Sequence, residues 1–197
     1  MNLPEYLFRG DQDQYNIRKL KSTLGNGLMM TNLCNGGSGR DIFNQPLKQS
    51  VNRHVSIGWD KTHFLSFSED KSVAMHYASN GKECEETYEI NNDWDFALVT
   101  FQTCRLTNIK QIVKGIYQAE FVPTCYEFLP SFKIILIDVV THLKGLINLN
   151  IDLTTAIFNA EKDKEWLILP AYPFGNGQFS SKLDTNCISE TQVFKFV

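Results

Sequence analysis

Apolar positions along this chain come in short runs separated by polar and glycine-rich stretches, and their spacing alternates between the periods of strands and helices. Tyr6–Arg9 is a brief apolar stretch closed by a charge and followed by Gly10-Asp11, which predicts a first strand ending in a turn. Asn16–Leu24 places Ile17, Leu20 and Leu24 on one helical face. Gly25–Gly39, with the run Asn35-Gly36-Gly37-Ser38-Gly39, predicts a loop. His63–Ser68 (HFLSFS) predicts a strand. Glu69–Ser79 predicts an amphipathic helix with Val73, Ala74, Tyr77 and Ala78 on its apolar side and Ser68 as its N-cap. Trp94–Thr103 predicts a strand, Ile112–Val113 is a further apolar segment, and Ile134–Val140 fits a strand or a buried helix. Glu165–Leu169 (EWLIL) predicts a buried strand stopped by Pro170, and Gln192–Val197 alternates as a last strand. Short strands mixed with a few helices predict one α+β domain over residues 1–197.

Composition narrows the class. The chain has 197 residues, 43% of them hydrophobic and 14 of them Phe, so a sizeable core is expected rather than a disordered segment. A net charge of −3 gives no general affinity for polyanions, and no nucleic-acid partner is expected. The five cysteines, Cys34, Cys84, Cys104, Cys125 and Cys187, are odd in number and widely spaced, which fits reduced thiols. No CxxC, HExxH or clustered histidine suggests a metal. The N-terminus lacks the basic and apolar regions of a secretory leader, and no run is long enough to cross a bilayer. The expectation is a cytoplasmic protein without a membrane partner, one that leaves its cell, if it does, by a route independent of a signal peptide.

Three features bear on chemistry: Arg9 in LFRGD, Ser66-Phe67-Ser68 in FLSFSEDKSVAMHYA, and Glu165 in AEKDKEWLILP. Cleavage of NAD at its nicotinamide bond asks for three such groups. An arginine at a strand end holds the pyrophosphate through paired charge-assisted hydrogen bonds. A small hydroxyl residue positions a carboxylate and the nicotinamide ribose. The carboxylate bonds a ribose hydroxyl and stabilises the oxocarbenium-like cation that forms as nicotinamide departs.

In this order and context the residues resemble the Arg–Ser–Glu class of the mono-ADP-ribosyltransferase superfamily, which includes many bacterial toxins and effectors. In that family an Arg ends the first strand, a Ser-Thr-Ser strand leads into a helix with an Ala and an aromatic residue, and a Glu-x-Glu or Gln-x-Glu element opens a later strand. Arg9 matches the first position. Ser66-Phe67-Ser68 matches the second, with Phe67 where Thr is usual. Ala74 and Tyr77-Ala78 match the helix, and Glu165 matches the catalytic Glu. The resemblance implies a split β-sandwich of two small, roughly perpendicular sheets with flanking helices. It implies NAD as substrate, no metal, and a target protein as acceptor. NAD would be contacted by Arg9, Gly10, Ser66, Phe67, Ser68 and Tyr77, with Ser66 orienting Glu165. Asp163 stands where the family has Glu or Gln; its carboxylate favours an arginine acceptor but is shorter by one methylene. Glu161 is the alternative for that role and would need a bulge to reach. Phe158–Lys164 is then expected to be the turn that meets the target. Delivery into a host cell as an effector is the corresponding expectation.

Each residue also has an ordinary interpretation. Arg9 fits a surface ion pair, Ser68 a helix cap, Phe67 and Tyr77 core packing, and Glu165 a solvated strand end beside Lys162 and Lys164. His54 and His63 flank the serine motif; each is a candidate site residue, with a structural role the stronger expectation. The Gly36–Gly39 loop has neither Walker nor dinucleotide-fingerprint spacing. The rival functions are an NAD glycohydrolase without a protein acceptor, against which Tyr77 stands where that enzyme's Glu would fall, and an inactive NAD-binding module. A nucleic-acid-modifying member of the superfamily is disfavoured by the acidic balance.

Overall fold

The computed structural model describes residues 3–12, 28–29, 51–52, 54–56, 64–87, 94–121, 132–146, 152–171, 182–183 and 188–197. The helix expected at Asn16–Leu24, the Gly36–Gly39 loop and His63 lie outside them. The described chain is mixed α+β, with mainly antiparallel strands and few helices, and it divides into two compact units interleaved in sequence.

The first unit comprises Met1–Leu28, Phe67–Arg105 and Leu183–Val197. Its strands are β1 (Tyr6–Asp11), the end of β2 (Leu65–Ser68), β3 (Cys84–Thr87), β4 (Phe96–Gln102) and β9 (Ile188–Phe196), hydrogen-bonded in the order β3–β9–β4–β1–β2. β4 is central and buried from Phe96 to Phe101, a largely apolar run broken only by Thr100, as fits a strand covered on both faces. β1 lies antiparallel to it with Arg9 opposite Val99 and Gly10 opposite Leu98. Gly10-Asp11, expected as a turn, continues the strand, because both residues keep their partners on β4.

Helix α1 (Lys71–Ser79) packs Ala74 and Ala78 onto Phe96 and Leu98 of β4 and Phe194 of β9. Phe96 and Phe194 stack with centroids 5.0 Å apart. The cap of α1 is Asp70, whose Oδ1 accepts from the Ser72 N–H at 2.9 Å. Ser68, the expected cap, acts one step earlier: its Oγ accepts from the Asp70 N–H at 2.9 Å and shapes the approach. Tyr77, expected in the core, is 61% exposed, because the small residues Ala74 and Ala78 form the packed face.

The second unit comprises Met29–Ser66 and Leu106–Lys182. Its strands are the start of β2, β5 (Thr107–Val113), β6 (Ile116–Phe121), β7 (Phe132–Asp138) and β8 (Glu165–Ala171), in the order β2–β8–β7–β6–β5. Elsewhere, residues 28–29 and 182–183 form a short separate ladder. β7 buries Ile134, Ile135, Leu136 and Ile137 in succession, which settles the strand-or-helix ambiguity of that segment. The helix begins at once afterwards: Asp138 caps α2 (Val139–Lys144) by accepting from the Thr141 N–H at 2.9 Å. β8 pairs with β7 through Pro170 to Ala171, so Pro170 does not stop the strand as expected. β5 is exposed along its whole length, and Ile112 and Val113 add nothing to the core. Helix α3 (Thr154–Asp163) buries Ala156 and Ala160. The segment Phe158–Lys164, expected as a turn, is therefore the last part of a helix and its cap.

At Gly10, β1 and α1 lie in close contact. A Cβ placed there would lie 2.3 Å from Ala78 Cβ and 2.4 Å from the Ala74 carbonyl oxygen. Gly10→Ala therefore forces α1 off the sheet and is expected to cost roughly 1–3 kcal/mol, as overpacking does. Chemical denaturation checks this, and an unchanged midpoint would mean that α1 is not seated on Gly10.

Candidate functional site

The site is built around the start of β8. α3 ends at Asp163, and Lys164 takes a left-handed conformation with φ 47° while its N–H donates to the carbonyls of Ala160 and Glu161. That single residue turns the chain from helix to strand, and Glu165 is the first residue of β8. Trp166, Leu167 and Ile168 follow it into the core opposite Asp138, Ile137 and Leu136 of β7. A carboxylate leading an apolar strand is carried inward with it, and the side chain of Glu165 is only 13% exposed.

Ser66 stands on β2, the neighbour of β8, and its hydroxyl hydrogen-bonds the Glu165 carboxyl. Burial pushes the Glu165 pKa from the ordinary 4.5 up to about 7; the Ser66 hydrogen bond opposes that rise, and the nearby Asp163 charge adds to it. Desolvation thus outweighs the hydrogen bond, and the carboxyl titrates near neutrality.

A third side chain completes the group. Residues 51–52 and 54–56 are helical. Val51 and Val55 are buried, the Val55 carbonyl accepts from Asn159 Nδ2 of α3 at 3.2 Å, and the His54 ring meets the edge of Phe64 at 5.7 Å. These contacts hold His54 Nε2 at 2.6 Å from Ser66 Oγ and 3.8 Å from Glu165 Oε1. The sequence marked His54 as flanking the serine motif and favoured a structural role over a site role; the contact spans twelve residues and no local motif announces it.

Of the residues singled out by sequence, Ser66, Asp163 and Glu165 come together in the second unit. Glu161, the alternative for the role of Asp163, pairs with Lys144 of α2. Arg9, Gly10, Phe67, Ser68 and Tyr77 belong to the first unit. There Phe8 lies opposite Ser68 across the β1–β2 ladder. The Arg9 guanidinium is held by Asp11, with Nε at 3.3 Å and Nη2 at 3.2 Å from Asp11 Oδ2. Phe67 is buried against Phe101, as strand alternation leads one to expect of the residue between Ser66 and Ser68.

Among the described residues no group of three or more His, Cys, Asp or Glu is arranged to hold a metal, and no helix is long and apolar enough to cross a membrane. Cys84 and Cys104 are free thiols. No family model, curated protein or solved structure matches the chain.

The raised Glu165 pKa makes a stability prediction. The folded chain holds this proton more tightly than the unfolded chain, so stability falls as pH rises from about 4.5 to about 7 and levels off above. Glu165→Gln removes that penalty, which is on the order of 3 kcal/mol when fully developed. Urea denaturation at pH 4 and pH 8 should show the variant gaining on the wild type at the higher pH. A stability gap that is the same at both pH values would show that the carboxyl is not desolvated.

Proposed function

We propose that the chain is a mono-ADP-ribosyltransferase that breaks the nicotinamide–ribose bond of NAD and transfers ADP-ribose to a target protein, with an arginine side chain as the favoured acceptor. The observation that carries the proposal is the buried Glu165 carboxyl on the first residue of β8, hydrogen-bonded by Ser66 of the adjacent β2. The order Arg9, Ser66-Phe67-Ser68, Glu165 supports the same assignment, and with it goes the split-sandwich form of that superfamily.

In this chemistry the C1′–N bond breaks and its electron pair leaves with nicotinamide. Positive charge develops on the ribose ring, where an ionised Glu165 in a low-dielectric setting stabilises it more strongly than it would in water. The carboxylate also accepts a hydrogen bond from a ribose hydroxyl. The acceptor nitrogen then bonds to C1′ and loses a proton, and Asp163, two residues before Glu165 and felt by it as a charge, is assigned to orient or deprotonate it. Arg9, already oriented by Asp11, is assigned to the phosphates. Phe158, 65% exposed on α3, and the helix end at Asp163 are assigned to contact with the target protein.

Incubation of the purified chain with labelled NAD, with and without a cell lysate, tests the proposal. Label should appear on a discrete protein band, and Glu165→Gln should reduce it by about 10²–10³-fold, as removal of a principal charge-stabilising group does. Free ADP-ribose and nicotinamide without labelled protein would make the chain a glycohydrolase. Intact NAD in every arm would leave an interaction module. Because the reactive form of Glu165 is the carboxylate, NAD turnover should rise with pH through about 7 and flatten above it. A profile flat from pH 5 to 8 would remove Glu165 from the chemistry.

A further inference from the structure

Hydrogen accounting at Ser66 leads to a role for His54. A serine hydroxyl has one hydrogen to give and two lone pairs to receive with. Ser66 faces two partners, the Glu165 carboxyl and His54 Nε2, the latter at 2.6 Å. An ionised carboxylate can only accept, so when Glu165 is charged Ser66 must donate its hydrogen there. The contact with His54 must then run the other way, from a ring N–H into the hydroxyl oxygen. A bare Nε2 would instead take the Ser66 hydrogen, so the hydroxyl would present only lone pairs to the carboxylate, and the ring nitrogen, 3.8 Å from Oε1, would bring it no hydrogen. Nor is this the chain of a nucleophilic serine hydrolase. There the carboxylate sits on the imidazole nitrogen far from the serine, whereas here Ser66 and Glu165 both approach Nε2.

We propose that His54 is a positioning residue, whose Nε2–H donates to Ser66 Oγ and thereby commits the hydroxyl hydrogen of Ser66 to Glu165. The ring is suited to this by its surroundings. It is 3% exposed, its edge contact with Phe64 and the Asn159–Val55 bond fix its backbone and plane, and water has little access to compete for the hydroxyl. The described groups acting on Glu165 are His54 from the helical residues 54–56, Ser66 from β2 and Asp163 from the end of α3. Burial, and after it the Asp163 charge, opposes ionisation of Glu165, and the hydrogen donated by Ser66 works against both. The effect of His54 on turnover rests on the proposed NAD chemistry; its effect on Glu165 does not.

The test is titration of Glu165 in the full chain, followed by carbon NMR of labelled glutamate carboxyls and assigned with Glu165→Gln. His54→Phe keeps an aromatic ring but has no donor, and should raise the Glu165 midpoint by about one pH unit, a tenfold gain in proton affinity. His54→Gln places an amide N–H near the position of Nε2 and should restore the wild-type midpoint to within a few tenths of a unit. In a Ser66→Ala background, His54→Phe should shift nothing further. Equal shifts in the Phe and Gln variants, or the same shift with and without Ser66, would overturn the proposal. Should His54→Phe fail to fold, nitrogen NMR of the wild-type imidazole at pH 8 decides alone: a protonated Nε2 supports the proposal and a bare Nε2 ends it. The acid limb of NAD turnover should move with the Glu165 midpoint. A midpoint that moves in a chain that consumes no NAD would defeat the transferase assignment and leave His54 in place. NAD turnover with an unmoved midpoint would do the reverse.

Discussion

Enclosing one carboxyl group in apolar surroundings is the constraint on which the second unit turns. A glutamate at a strand start is ordinarily solvated, and burying its charge without compensation would cost several kcal/mol. The chain meets that cost in two ways. It lets the pKa rise, and it brings a hydroxyl from β2 and an imidazole from the helical residues 54–56 to the same side chain. The strands β7 and β8 supply the dry wall, and α3 brings Asp163 to the edge of the group. β2, β7, β8, α3 and the helical residues 54–56 therefore each have a part in placing or tuning Glu165.

The first unit is organised by size rather than charge. Gly10 and the alanines Ala74 and Ala78 let α1 lie close against β1 and β4, and the Phe96–Phe194 stack closes the core beneath. Close packing of small residues brings the two backbones together without leaving voids. The same arrangement explains why Gly10 follows Arg9: the strand must carry a guanidinium at one position and admit a helix at the next. The pairing of Arg9 with Asp11 uses the two-residue repeat of the strand, which places both side chains on one face.

Strong local periodicity was legible, and so was chemistry carried by adjacent residues. The strand at Leu65–Ser68, the helix after it, β4 and β8 all follow from runs whose neighbours in space are also apolar. The Ser66–Glu165 pair was legible because two strands and a resemblance pointed to it. What escaped depends on distant partners. α3 buries only small residues, Ala156 and Ala160, and exposes Phe158, so its pattern is the inverse of a typical amphipathic helix. Its start also lacks a side-chain cap on the N-cap residue Leu153; Asp152 accepts from Thr154 N–H one position earlier. Ile112 and Val113 have the composition of a core strand yet stand exposed in β5, at one end of the unit's strand order. His54 is recognisable only once β2 and the helical residues 54–56 are seen to meet.

Lys164 has a consequence for how such a chain can vary. It is the whole connection between α3 and β8, and its left-handed backbone is set by the geometry at both ends. Side chains on β8 alternate between faces, so a residue gained or lost at this junction inverts the phase of the strand. Glu165 would exchange places with Trp166, bringing a charge into one environment and an indole into the other. Length changes here are therefore closed to the sequence. Diversification around the carboxyl is confined to substitution, at Asp163 and on the exposed side of α3, while the strand keeps its phase.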